Sequence, residues 1–383
     1  MGRSHTSKFA GCDSSQRFNL GQEGQAISPP LGGVIHRFWL GAERACPQKC
    51  PDHPQEEALM VSRETEPETP TFTVRTAGDL AKNQDLYEDE ATPLAQAAEH
   101  TVLARTTTRM ASQRPDATRV MVVANQKGGV GKTTTTVNVA AGLAQLGQRV
   151  LVIDLDPQGN ASTALSVDHR RGTPSTYDLL VDGAPLSEVM HASPEHDLLQ
   201  VVPATIDLAG AEIELVSVVA RESRLRKAIH AHPMVGSADE VGEERLDYVL
   251  IDCPPSLGLL TLNALVAGDE MLIPIQAEYY ALEGLGQLLE TVEMVRAHLN
   301  QALNVSTILI TMFDGRTRLS SGVAEEVREH FGDTVLKTAI PRSVRVSEAP
   351  SYGQTVMTYD PGSPGALSYL EAAREISTKG APA

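Results

Sequence analysis

Two lysines, Lys127 and Lys132, bracket a run of small residues, Gly128-Gly129-Val130-Gly131, and two hydroxyl residues follow, Thr133 and Thr134. Glycines without Cβ let successive backbone N–H groups wrap an anion closely. Lys132 is spaced to reach the β- and γ-phosphates of a nucleotide, and the Thr133 hydroxyl is placed to hold Mg²⁺. A helix starting here adds partial positive charge at its N-terminus. Three carboxylates complete the set. Asp154 and Asp156 sit at i and i+2 after the apolar run Leu151-Val152-Ile153, ahead of Pro157-Gln158-Gly159-Asn160. Asp252 ends Tyr248-Val249-Leu250-Ile251 and precedes Cys253-Pro254-Pro255-Ser256. Mg²⁺ takes one or two carboxylates plus phosphate oxygens, and Asp252 at a strand end supplies one. Phosphoryl transfer needs positioning and charge more than covalent help, and these residue types provide both.

Such groups work only if held at one edge of a sheet. A β-branched run, Val120–Ala124, leads into the glycine loop, and a helical pattern, Thr133–Leu146, leaves it. Further strands are expected at Val150–Asp154, Leu199–Val202, Tyr248–Ile251, Glu270–Ile275, Ser306–Met312 and Val335–Ala339. Helices are expected at Ile206–Val219, Leu257–Ala267, Leu282–Leu299, Ser321–Phe331 and Gly365–Ser377. The alternation predicts an α/β fold, a doubly wound, mostly parallel sheet of P-loop NTPase type, over residues 118–383. In such sheets ligands bind at the carboxyl edge, where Asp154 and Asp252 fall. The Gly- and acid-rich segment His230–Glu244 reads as an exposed loop. Residues 1–117 lack sustained periodicity, are rich in Pro, Ser, Thr, Gln and Glu, and carry an acidic stretch from Glu56 to Glu68. They read as a disordered extension with one short helix near Leu94–Leu103. Cys46, Cys50 and His53 have no second ligand pair at zinc-finger spacing, so no zinc site is expected.

Composition narrows the function classes. Hydrophobic residues make up 41% of 383, ample for a core, while aromatics reach only 4%. So few aromatics argue against a base-stacking single-strand binder. A formal net charge of −17 means that any DNA contact must come from a local patch. Arg316 and Arg318, after one strand end, and Arg342 and Arg345, within Ile340–Ser351, are the candidates. Paired cysteines for a redox cluster are absent from residues 118–383, which hold only Cys253. No apolar run approaches the roughly 18 residues needed to span a bilayer, and the N-terminus lacks a basic-then-apolar signal. A soluble cytoplasmic protein is expected.

Where the common phosphate loop opens with glycine, this one has Gln126 followed by Lys127. The string Lys-Gly-Gly-Val-Gly-Lys-Thr-Thr resembles the deviant Walker A loop of the ParA/MinD group. Asp-Leu-Asp-Pro-Gln-Gly-Asn, the Walker B-like strand ending at Asp252, and the segments Pro274–Gly284 and Ile340–Ser351 extend the likeness from Arg119 to about Glu375. As a set they resemble ParA/Soj-type chromosome-partitioning ATPases. That resemblance implies ATP and Mg²⁺ as ligands, and an ATP-dependent homodimer in which Lys127 reaches the partner's phosphates. It implies that Asp156 positions the attacking water, that Asp154 joins the metal and phosphate shell, and that Pro341 and Arg342 contact the nucleotide. It places Pro274–Gly284 at the dimer face and gives the arginines nonspecific DNA phosphates to hold on the nucleoid. It supplies a ParB-type centromere-binding partner that triggers hydrolysis. The alternative, a MinD-like membrane-surface ATPase, needs a basic amphipathic C-terminal helix. Ala372–Gly380 reads as having little apolar face, so no membrane partner is expected.

Lys132→Ala removes the main cation facing the phosphates and is expected to abolish ATP binding in a calorimetric titration. Unchanged affinity would overturn the loop assignment.

Overall fold

The computed structural model describes residues 113–278 and 281–379. Residues 1–112, with Cys46, Cys50, His53 and the expected short helix, lie outside that range, as do Tyr279 and Tyr280. Eight strands form one sheet: β1 Arg119–Val123, β2 Val150–Asp154, β3 His191–Ala192, β4 Leu199–Val202, β5 Tyr248–Asp252, β6 Glu270–Gln276, β7 Asn304–Phe313 and β8 Val335–Pro341. Their order is β3-β4-β2-β5-β1-β6-β7-β8. Every neighbouring pair is parallel except the short edge pair β3–β4. Among the described residues, the α-helices of five or more residues are α1 Lys132–Gln145, α2 Asn160–Ala164, α3 Leu208–Glu214, α4 Arg224–His230, α5 Leu259–Ala267, α6 Ala281–His298, α7 Arg318–Phe331, α8 Val344–Glu348 and α9 Pro364–Thr378.

The central strands β1, β2 and β5 are buried along their whole length, as continuous apolar runs in a parallel sheet must be. Successive side chains point to opposite faces. Val120, Val122, Ile153 and Ile251 pack with α3 to α7, while Met121, Val123, Val152 and Leu250 pack with α1, α2, α8 and α9. Helix α9 carries an apolar stripe that begins before the Ala372–Gly380 tail. Tyr369, Leu370, Ala373 and Ile376 are buried in the second layer, so that stripe is covered by the fold. No described helix is long and apolar enough to cross a membrane.

A buried ion pair fixes the amino edge of the sheet. Arg119 on β1 meets Glu270 on β6 through two bonds, Nε–Oε1 at 2.6 Å and Nη2–Oε2 at 2.7 Å, and both side chains are 2% exposed. Its Nη1 donates to the Ile376 carbonyl of α9 at 2.8 Å and to the Tyr248 hydroxyl of β5 at 3.2 Å. One guanidinium thus ties three strands to the last helix. The Glu270 carboxylate holds the Arg119 charge in place against the cost of its burial.

Three expectations change. The helix expected over Ile206–Val219 ends at Glu214, passes through one tighter turn at Leu215–Ser217, and stops before Ala220, which has a left-handed φ of 53°. Val216, Val218 and Val219 are β-branched and disfavour continuation. The domain also begins before residue 118. Arg114 pairs with the buried Asp247 at 2.8 Å and donates to the Arg245 carbonyl at 2.8 Å. Arg245 in turn donates to the Asp116 carbonyl at 2.6 Å. Segment His230–Glu244 is more than an exposed loop: Thr118 N–H donates to the Gly236 carbonyl at 2.9 Å, Ala117 bridges Ser237, and His232 is buried.

Glu270→Ala leaves the Arg119 guanidinium buried without its counter-ion and is expected to cost about 3–5 kcal/mol in a urea denaturation series. Replacing both residues by apolar ones, Arg119→Met with Glu270→Leu, is expected to recover most of that loss. A double variant as unstable as the single one would place the cost in packing instead.

Candidate nucleotide and metal site

Neighbours shape the loop after β1 from both sides. Asn125 donates its amide to the Pro274 carbonyl at 2.8 Å and accepts the Lys127 N–H at 3.0 Å. Thr311, near the end of β7, donates to the Val130 carbonyl at 2.8 Å. Gly129 (φ 74°) and Gly131 (φ 89°) are left-handed, a conformation costing an L-residue about 1–2 kcal/mol, which explains glycine at both positions. A Cβ at Gly128 or Gly129 would meet nothing within 4 Å, so the loop faces open space where phosphates would lie. Lys132 is 8% exposed, its Nζ lies 3.4 Å from the Lys127 carbonyl, and burial lowers its pKa. Its ammonium is held at the loop by the loop's own oxygen.

Asp154 and Asp252 are register partners at the ends of β2 and β5, and both are fully buried. Burial pushes both carboxyl groups well above the usual carboxylate range, and the Asp154 charge raises Asp252 further. The two differ in what they touch. Asp252 Oδ1 accepts from Thr136 Oγ1 at 3.0 Å, the nearby Thr133 hydroxyl favours the charged form of this carboxylate, and Oδ2 is buried with no hydrogen-bond partner. An orphaned buried oxygen beside a threonine hydroxyl suits a hard cation such as Mg²⁺, which takes its remaining ligands from phosphates and water. No cluster of three or more acidic, His or Cys ligands exists among the described residues.

Asp154 was expected in the metal and phosphate shell, but its oxygens are engaged elsewhere. Oδ2 accepts from Ser162 N at 2.9 Å and Ser162 Oγ at 2.7 Å, and Oδ1 accepts the Asp156 N–H at 3.1 Å. Ser162 Oγ also accepts the Ala204 N–H at 3.0 Å. Asp154 therefore braces the turn that presents Asp156. That turn closes with Gly159 N–H on the Asp156 carbonyl at 2.9 Å and Gly159 at φ 63°. Asp156 is 8% exposed, and its Oδ1 accepts only the Gln158 N–H, at 3.0 Å. It stands at the mouth of the site.

Lys127 points to the same mouth, 33% exposed, with Nζ 3.2 Å from Glu278 Oε2. Arg342, just past β8, reaches the other oxygen of Glu278 at 3.8 Å. Its N–H donates to the Phe313 carbonyl at 3.1 Å, which ties the ends of β7 and β8 together beside Pro341.

A family model described as an AAA domain matches residues 118–305. The sporulation initiation inhibitor protein Soj of Bacillus subtilis is 51% identical over 262 residues, 68% of this chain and 99% of that protein. The chromosome partitioning protein ParA of Myxococcus xanthus is 48% identical over 264 residues, 69% of this chain and 89% of that protein. A solved structure of cobyrinic acid a,c-diamide synthase from Mycobacterium smegmatis, with ADP and magnesium bound, is similar at 38% identity and a TM-score of 0.55. It covers 67% of this chain and 92% of that one. The chain belongs to the Soj/ParA family of chromosome-partitioning ATPases.

Within this Soj/ParA chain, the structure gathers the loop Lys127–Thr134, Asp154, Asp156, Asp252, Pro341 and Arg342 at one carboxyl edge. The arginines proposed for DNA follow the ends of β7 and β8. Arg316 follows β7 and is held by Asp314 at 2.9 Å, Arg318 opens α7, and Arg345 on α8 lies 3.3 Å from Glu348 and 3.4 Å from Asp360. Sequence reasoning missed Thr136, Ser162, Glu278 and Thr311. Ser162 and Thr136 sit next to motifs already singled out; the pairing of β1 with β5 brings Thr136 to Asp252, and the turn between β2 and α2 brings Ser162 back to Asp154.

Thr136→Val keeps the shape and removes a hydrogen bond to Asp252. It is expected to weaken ATP binding about 10-fold in Mg²⁺ and hardly at all in EDTA, as loss of an outer-shell partner does. Equal losses in both titrations would place Thr136 in folding alone.

Proposed function

We propose that ATP joins two copies of this chain face to face, that the dimer holds DNA without regard to sequence, and that hydrolysis to ADP releases it. The observation that carries this reading is Lys127. The loop already holds its own cation in Lys132, so a second lysine, part-exposed and held by the Glu278 carboxylate, can exchange that partner for a phosphate on another copy. A cation supplied in trans stabilises charge in the transition state, as an arginine finger does. Further support comes from exposed apolar side chains flanking the site, Ile206, Ile213, Val216, Val219 and Leu257, which suit a surface covered in a dimer.

Asp252 and the Thr133 hydroxyl would hold Mg²⁺ in the ATP-bound state, where the ion would neutralise phosphate charge. The glycine loop and Lys132 hold the phosphates, Pro341 and Arg342 border the nucleotide, and Asp156 orients the attacking water, kept in position by Asp154 and Ser162. Arg316, Arg318, Arg342 and Arg345 hold DNA phosphates. Each of these except Arg318 is ion-paired within the chain, so DNA competes with Asp314, Glu278, Glu348 and Asp360. The trigger is a ParB-type centromere-binding protein, and the place of action is the nucleoid in the cytoplasm. The ATPase domain spans 118–383 together with the docked residues 113–117. The extension before it is dispensable for ATP binding.

Lys127 and Asp156 are expected to fail differently. Lys127→Ala binds ATP but remains monomeric and loses DNA, because two phosphate-loaded faces meet without a neutralising charge. Asp156→Ala keeps every cation, accumulates as an ATP-bound dimer on DNA and turns over very slowly. Size-exclusion chromatography with ATP, paired with a DNA-binding assay, reads both outcomes. A monomeric Asp156→Ala, or a Lys127→Ala that dimerises normally, would overturn the face-to-face mechanism.

A further inference from the structure

After Asp252 the chain runs Cys253-Pro254-Pro255-Ser256-Leu257-Gly258 into α5. Two prolines stiffen the first half of this loop. Thr261 Oγ1 then donates to the Ser256 carbonyl at 2.6 Å. The far end is held from another element. Glu212 on α3 reaches in, and its Oε1 accepts the Leu260 N–H at 3.3 Å. Leu260 lies in the first turn of α5, where N–H groups lack helical partners and the helix dipole favours an anion.

Gly258 is shaped to this contact. A Cβ there would lie 2.0 Å from Glu212 Oε1 and 2.9 Å from its Cδ. Its φ of −81° is open to any residue, so glycine is explained by the space the carboxylate occupies and not by backbone conformation. Helix α3 follows β4, beside the turn built on Asp154. Ala204, between β4 and α3, donates to Ser162, which donates to Asp154. Glu212 therefore connects the loop behind Asp252 to the element that supports Asp156.

We propose that Glu212, fitted to Gly258, is a positioning residue for ATP hydrolysis. It fixes the Cys253–Gly258 loop against α3, so that the carboxylate at the metal and the one that orients water keep a constant spacing. This rests on the ATPase reading of the site. Phosphate affinity comes from the glycine loop and Lys132, which Glu212 does not touch, so its loss acts on turnover and leaves ATP affinity in place.

Four variants of the full chain test this: Glu212→Ala, Glu212→Gln, Gly258→Ala and the double Glu212→Ala/Gly258→Ala. Glu212→Ala is expected to lower kcat about 10-fold, the lower end of outer-shell effects, with KM for ATP within about twofold of the parent. Gly258→Ala is expected to match it, because its methyl pushes the flexible carboxylate off Leu260. The double variant is expected to be no worse than either single one, and Glu212→Gln, whose amide oxygen still accepts Leu260 N–H, to keep most activity. Hydrogen exchange across 254–260 in nucleotide-free protein is expected to speed up in the same three variants and not in Glu212→Gln. A kcat at the parent level in Glu212→Ala, losses that multiply in the double variant, or unchanged exchange would overturn the proposal. A parent protein without ATPase activity would instead overturn the reading of the site, and the exchange comparison would still report on the Glu212 contact.

Discussion

Two carboxylates, Asp154 and Asp252, stand side by side at the ends of adjacent parallel strands, both out of water. Like charges so placed repel, and burial adds to the cost of ionising either. The surrounding residues answer this constraint in two ways. Around Asp154 the protein spends its own donors, Ser162 twice and the Asp156 N–H once, and the carboxylate becomes a brace. Around Asp252 it supplies the Thr136 and Thr133 hydroxyls but leaves Oδ2 unpaired. That unmet demand would suit a divalent cation and the phosphates that such a cation carries.

The same logic extends to the cations. Lys132 rests on the loop's own carbonyl, and Lys127 and Arg342 share the Glu278 carboxylate. Each is held near the place where phosphate charge would arrive by an interaction weak enough to exchange: these contacts lie at 3.2–3.8 Å and the Glu278 pairs are part-exposed. The opposite edge of the sheet is built differently. Arg119 and Glu270 form a short, two-bonded pair sealed from solvent, tied into α9. A rigid base with exchangeable charges at the top suits a switch in which bound nucleotide rearranges one edge while the core stays fixed.

The sequence by itself determined the central strands and the phosphate loop with its helix, and it singled out Lys127, Lys132, Asp156 and Asp252 as the candidates that the structure gathers at one edge. All of these are written in consecutive residues: an apolar run fully buried in a parallel sheet, glycines at left-handed positions, a carboxylate at a strand end. Only the tertiary structure decided what depends on partners distant in the chain. The two-residue β3 has no periodicity to read, and α3 stops at Glu214 where the β-branched run meets the turn before Ala220. The docking of Arg114 depends on Asp247, the part played by Asp154 on Ser162 and Ala204, and the need for glycine at 258 on Glu212. Residue type fixes what a side chain is able to do. The register of β2 against β5 and the reach of Glu212 from α3 to the start of α5 fix which groups meet, and no local pattern encodes either.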